Sequence, residues 1–322
     1  MRNNLLAVLG VLAVLWTGQA AAQDVWPSRP VKFIVSSSAG GGTDTYGRFI
    51  AQALSENLRQ PFLVDNRPGA GGNIGVEAVA KSAPDGYTFL VSANAQIAIN
   101  PSLYRNLPYN IERDIVAVAR GVTGPLVLCV IPSLGAKTLA DLVGMARKSP
   151  DSLAFGSAGT GSTTYLGVFM LAEAAGVRFL HVPYKGMGAV YKDFLGGEVK
   201  FMFPDLASAL PHIRSGKAIP LALTERTKLL PGVPAIAEAG YPQVEITSSF
   251  SVTAPAGVPA PIIERLSSEI VRAMKAPAMI EKLEAQALVP VYDTPAAFAA
   301  SLKKERETWA AFIQRNKVVL EQ

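Results

Sequence analysis

Ser38-Ala39-Gly40-Gly41-Gly42-Thr43-Asp44-Thr45-Tyr46 is nearly repeated further along the chain as Ser157-Ala158-Gly159-Thr160-Gly161-Ser162-Thr163-Thr164-Tyr165, with six of the nine positions identical. Each stretch follows a short apolar run (31–35 and 153–155) and precedes a helical pattern (46–58 and 165–175). Each therefore reads as strand, glycine-rich turn and helix N-terminus. Glycines let backbone N–H groups turn toward a ligand, and the first turn of a helix adds unpaired donors and the positive end of its dipole. The pair reads as an anion cradle built twice, with one acid held between two halves. No Gly-x-x-x-x-Gly-Lys-Ser/Thr occurs and neither loop carries a lysine, so a carboxylate fits better than a pyrophosphate.

Strands alternate with helices on both sides of this duplication. Runs at 62–64, 87–92, 178–182, 199–204 and 219–224 read as further strands, and 74–81 and 206–213 as helices, so mostly parallel sheets in two α/β lobes are expected. The apolar runs 126–131 and 249–254 lack helical partners and are the expected crossings between lobes. That divides the chain into lobe 1 (23–125 and 252–322) and lobe 2 (126–251). Amphipathic helices at 261–273 and 295–316 are expected to return to lobe 1 and pack on its sheet. Ligands in such folds bind beyond the carboxyl ends of strands, where both glycine loops sit, and lobe closure would bury them.

Residues 1–22 combine Arg2, an apolar run from Leu5 to Trp16 and Ala20-Ala21-Ala22 before Gln23, the pattern of a cleavable export signal. Removing Arg2, the only charge there, takes the formal net charge from +5 to +5 − 1 = +4. The cations are scattered and not interleaved with aromatics, which argues against nucleic acid. Cys129 is the only cysteine, so no intramolecular disulfide forms. His181 and His212 are the only histidines, and no Gly-x-Ser-x-Gly or His-x-x-x-His is present. Neither a Ser–His hydrolase nor a metal or cofactor site is indicated, and catalytic residues are assigned to none. Asp44 reads as a helix cap, and Asp205 either as a strand-end ligand group or as the cap of the following helix.

The export signal, Trp26-Pro27-Ser28-Arg29-Pro30-Val31, Ala39-Gly40-Gly41-Gly42-Thr43-Asp44, Asn66-Arg67-Pro68-Gly69-Ala70-Gly71-Gly72, Asp85-Gly86-Tyr87-Thr88 and His181-Val182-Pro183-Tyr184-Lys185-Gly186 together resemble the Bug family, periplasmic solute-binding proteins of tripartite tricarboxylate transporters. The resemblance implies a two-lobed type II periplasmic binding protein fold with two hinge crossings. It also implies a monomer without catalysis that delivers a carboxylated solute to the membrane subunits of its transporter. Carried onto this chain, the ligand-binding loops supply Ser36, Ser37, Ser38, Ala39, Gly40 and Gly41 from lobe 1. Lobe 2 supplies Ser157, Gly159, Thr160, Ser162, Thr163, Tyr184 and the strand-end acid Asp205. Family members carry an aromatic residue and prolines where Ser36, Ser37 and Ser38 stand here. The serines are expected to enlarge the pocket and favour an extended dicarboxylate, an aromatic diacid of the terephthalate type ahead of a short amino acid. An exported enzyme or sensor component using the same clamp is the alternative.

Overall fold

A computed structural model describes residues 26–316 and 318; the export-signal reading of 1–22 lies outside the described residues. Eleven strands are formed among these residues: β1 (Val31–Val35), β2 (Phe62–Asn66), β3 (Thr88–Ala93), β4 (Ile115–Gly124), β5 (Val127–Val130), β6 (Ala154–Ser157), β7 (Leu180–Pro183), β8 (Phe201–Met202), β9 (Ile219–Leu223), β10 (Ser248–Pro255) and β11 (Val289–Pro290). They make two sheets, in the orders β11-β4-β10-β3-β1-β2 and β7-β6-β8-β5-β9.

Each sheet is mixed and not mostly parallel. β1 pairs in parallel with β2 and β3, and β6 with β7 and β8, each through a crossover helix or loop. β10 runs antiparallel to β3 and β4, and β5 antiparallel to β8 and β9. The antiparallel members are the strands that carry the chain between sheets, where no crossover helix intervenes to restore direction. The crossings themselves are connectors: residues 125–126 join β4 to β5, and 224–247 join β9 to β10. The runs at 126–131 and 249–254 thus belong to single sheets, and Ser248–Pro255 lies wholly in the first. Hydrogen bonds from Leu126 N to Thr224 Oγ1 and from Thr224 N to Leu126 O, both 2.9 Å, tie the two connectors together.

Alternating burial explains the first sheet. Val31, Phe33 and Val35 point into a core with Tyr46, Ile50 and Leu54 of the helix Gly42–Leu58, while Ile34 faces a second cluster with Val76, Val79 and Leu90. The second sheet buries Leu128, Phe155 and Phe201 against Leu166 and Leu171 of the helix Thr163–Ala175. The last helix, Pro295–Asn316, serves both lobes. Phe298 and Leu302 join the first-lobe cluster, whereas Ile313 joins the cluster of the second sheet, with Trp309 and Phe312 against it.

Candidate functional site

Both glycine loops emerge from the carboxyl ends of central strands, β1 and β6, and each opens a helix. They converge. Ser36, Ser37, Gly41, Gly42 and Thr43 of lobe 1 and Ala158, Ser162, Thr163, Thr164 and Asp205 of lobe 2 line one interlobe cavity of about 30 Å³. Gly42 and Thr43, and Thr163 and Thr164, are the first-turn residues of their helices, where backbone donors lack intrahelical partners.

The loops are braced from within. In the first, the Gly40 N–H donates to Asp44 Oδ2 at 3.0 Å, and Asn66 Nδ2 and Arg48 Nε donate to the same carboxylate at 2.9 and 3.0 Å. Asp44 is therefore not the cap: Gly41 holds that position, and Asp44 reaches back from the first turn. Burial alone would raise its carboxyl, but Arg48, Gly40 and Asn66 outweigh that and hold it below the ordinary carboxylate value. In the second loop, Ser162 caps its helix by accepting from Tyr165 N at 3.2 Å and donating to Gly159 O at 2.6 Å. The Ala158 N–H donates to Thr164 Oγ1 at 2.9 Å.

Of the residues expected in the site, Ser36, Ser37, Gly41, Ser162, Thr163 and Asp205 line the cavity. Ser38 and Ala39 instead abut the second lobe's Gly186–Gly188 turn. A Cβ on Gly186 would lie 2.7 Å from Ser38 N, and one on Gly188 would lie 3.0 Å from the Ala39 carbonyl carbon and overlap its oxygen. Of the three serines, Ser36 and Ser37 line the cavity and Ser38 packs on this turn. Gly40 is open: a Cβ added there would meet nothing within 4 Å, and its N–H is spent on Asp44. Gly159 packs on Gly71, and the Thr160 carbonyl accepts from Tyr104 Oη at 3.1 Å, a second seam between the lobes. Tyr184 turns away and donates to Asp193 Oδ2 at 2.7 Å.

Ser157 is fully buried and sits 2.7 Å from His181 Nε2. His181 stacks between Phe155 and Tyr165, at centroid distances of 4.8 and 4.6 Å, and burial lowers its pKa to about 4. Its ring is neutral at pH 7, and the pair reads as core packing.

Gly42, Thr43, Ala158 and Thr164 of the two glycine-rich stretches line the cavity as well, with Gly186; the sequence reading does not reach Ala93, Ala95, Gln96, Met187, Ser248 and Phe250. Gln96 accepts from Ser36 Oγ at 3.4 Å. Its only sequence signal is a position just past the carboxyl end of β3. Asp205 is the one ionisable residue among those lining the cavity, and it is 5 % exposed. It also caps the helix Leu206–Arg214 by accepting from Ser208 N at 2.9 Å, so one carboxylate serves the helix and faces the cavity. Its carboxylate reaches the first lobe as well: a Cβ on Gly42 would lie 2.6 Å from Asp205 Cγ. Burial raises its pKa against the opposing hydrogen bonds from Ser208 and the Gly42 backbone. The cavity thus offers hydroxyls, an amide, backbone donors and helix N-termini, with no cationic side chain lining it.

Two α/β sheets joined by two connectors, with loops of both lobes closing on one polar cavity, define a two-lobed binding protein of the periplasmic receptor class. The family described as tripartite tricarboxylate transporter family receptor matches residues 47–318, and the chain belongs to it. Protein BugT of Bordetella pertussis is 36 % identical over 316 residues, covering 97 % of each chain. Among solved structures, a Rhodopseudomonas palustris protein with adipate superposes with a TM-score of 0.86 at 33 % identity, covering 90 % of this chain and 97 % of that one. MatC of the same organism, with bound malate, gives 0.84 at 28 %, covering 89 % and 99 %.

Proposed function

We propose that this chain is an exported receptor that captures a dicarboxylate between its lobes and hands it to the membrane subunits of a tripartite transporter. The observation that carries this reading is the meeting of two helix N-termini from different lobes at one cavity with no cation among its lining residues. Backbone and hydroxyl donors then hold the anion, each charge-assisted bond contributing about 1.5–3 kcal/mol and each helix terminus about 0.3–1 kcal/mol. In the open molecule a solute meets each lobe's loop separately. Closure brings Gly186–Gly188 onto Ser38 and Ala39, and Gly159 onto Gly71, which excludes water and completes the second set of donors. The relatives solved with adipate and malate support an aliphatic diacid of four to six carbons. Any of these diacids, aliphatic or aromatic of the terephthalate type, needs the lobes to stand further apart than the present 30 Å³ allows.

A thermal-shift screen over malate, succinate, adipate, terephthalate and citrate, followed by calorimetry, tests the proposal. Stoichiometric binding of at least one diacid with recovery of the unchanged solute is expected. Conversion of the solute would favour the enzyme reading, and silence across all acids would remove the solute class.

A further inference from the structure

Behind the solute cavity, on the side of the connectors, lies a larger chamber of about 620 Å³, within the range of small-molecule sites. Ala95 and Thr163 line both spaces and form the partition between them. Its walls come from both lobes and from the last helix: Asn94, Arg120 and Ser249 on one side, Glu225 and Glu245 on the other, Glu305 and Trp309 from Pro295–Asn316.

The charges of this chamber are opposite to what an acid needs. Among the residues lining the chamber, Glu225, Glu245 and Glu305 stand against one cation, Arg120, and its guanidinium is already engaged, by Glu305 at 3.3 Å, by Asp293 at 3.5 Å and by Ser301 Oγ. Burial raises the pKa of Glu305 against Arg120, Asn94 and Arg306. Asn94 is 5 % exposed and donates through Nδ2 to Glu305 Oε2 at 3.2 Å, yet its carbonyl Oδ1 is buried without a partner among the described residues, as is Ser249 Oγ. An unpaired buried acceptor is costly, and a ligand bearing N–H donors restores its hydrogen bond. Trp309 adds an aromatic wall, the surface that best receives an organic cation.

We infer that this chamber is a second binding site, for a small organic ammonium ion held by Glu305, Asn94 Oδ1 and the Trp309 ring. Thr123, Thr224 and Ser249 in its wall flank the two chain crossings, so an occupant touches both lobes and holds the angle between them. Occupancy then favours the closed arrangement, and by linkage the cation and the solute raise each other's affinity. This coupling, though not the site itself, rests on the proposed receptor function.

The test uses the chain lacking residues 1–22 with Trp26→Phe, which leaves Trp309 as its single tryptophan. Titration with 1,4-diaminobutane against a sodium chloride control is expected to give a saturable change in Trp309 emission, and tetramethylammonium, which has no N–H to offer Asn94 Oδ1, to bind more weakly. Glu305→Gln, or Glu225→Gln at the exposed rim, should weaken the diamine about tenfold. Diamine should raise adipate affinity about fivefold or more. Emission that does not saturate, or diamine affinity unchanged in both variants, overturns the site. One-for-one displacement of diamine by adipate also overturns it, by placing the cation in the solute cavity. If adipate itself fails to bind, the emission titration and the two variants still decide the cation site.

Discussion

The Asp205 carboxylate of the second lobe occupies the space that any side chain on Gly42 of the first lobe would fill. An acid of the protein itself thus stands at the helix N-terminus that the sequence pattern offers to a solute. Asp205 and a bound carboxylate would share a cavity without a lining cation, so the pair is relieved when Asp205 carries a proton and donates it.

That arrangement sets a pH dependence. The pKa of Asp205 is raised by burial, so its contribution to the closed state is present at low pH and lost as pH rises through the raised value, above the ordinary 3.8. Solute binding should take up a proton and strengthen as pH falls toward that range, by at most about tenfold per pH unit. Asp205→Asn keeps a good capping residue and should flatten the dependence, as calorimetry in buffers of different ionisation enthalpy would show.

Gly188→Ala separates closure from folding. Gly188 lies in the helix Met187–Gly196, where alanine is favoured locally by about 1 kcal/mol, but its methyl would overlap the Ala39 carbonyl across the cleft. Thermal stability should hold or rise, small-angle scattering should show a larger radius of gyration with solute present, and affinity should fall at least about tenfold. Gly40→Val is the contrast. Nothing within 4 Å obstructs it, so its cost is confined to the backbone at φ +83° and the solute should still close the lobes.

His181 predicts an acid limb of stability. Its folded pKa is depressed from 6.5 to about 4, so the unfolded chain binds the extra proton first and stability is lost as pH falls between these values. His181→Gln should be less stable at pH 7, having lost the stacking on Phe155 and Tyr165, but should lose less on acidification in thermal melts.

Much of this was readable in the chain because it is local. Val31–Val35 alternates into the core, and the period of Pro295–Asn316 gives its full length. β4 was not legible: Arg120 and Gly121 interrupt its apolar pattern, and pairing with β10 on one side and β11 on the other makes ten residues extend. The run 199–204 is buried except for the half-buried Lys200, yet only Phe201–Met202 finds strand partners between β5 and β6. In the site, the glycine loops announced themselves, but their individual roles did not. Gly159, Gly186 and Gly188 are small because another lobe approaches them, a property of tertiary structure that no single stretch carries.

The most direct measurement is calorimetric titration of the chain lacking residues 1–22 with adipate and with hexanoate, its matched mono-acid. Two helix termini in one cavity predict a single site in which adipate binds at least about tenfold more tightly, since the mono-acid leaves one set of donors to water at about 1–3 kcal/mol. Equal affinities for the two acids would contradict the assignment of one carboxylate to each lobe.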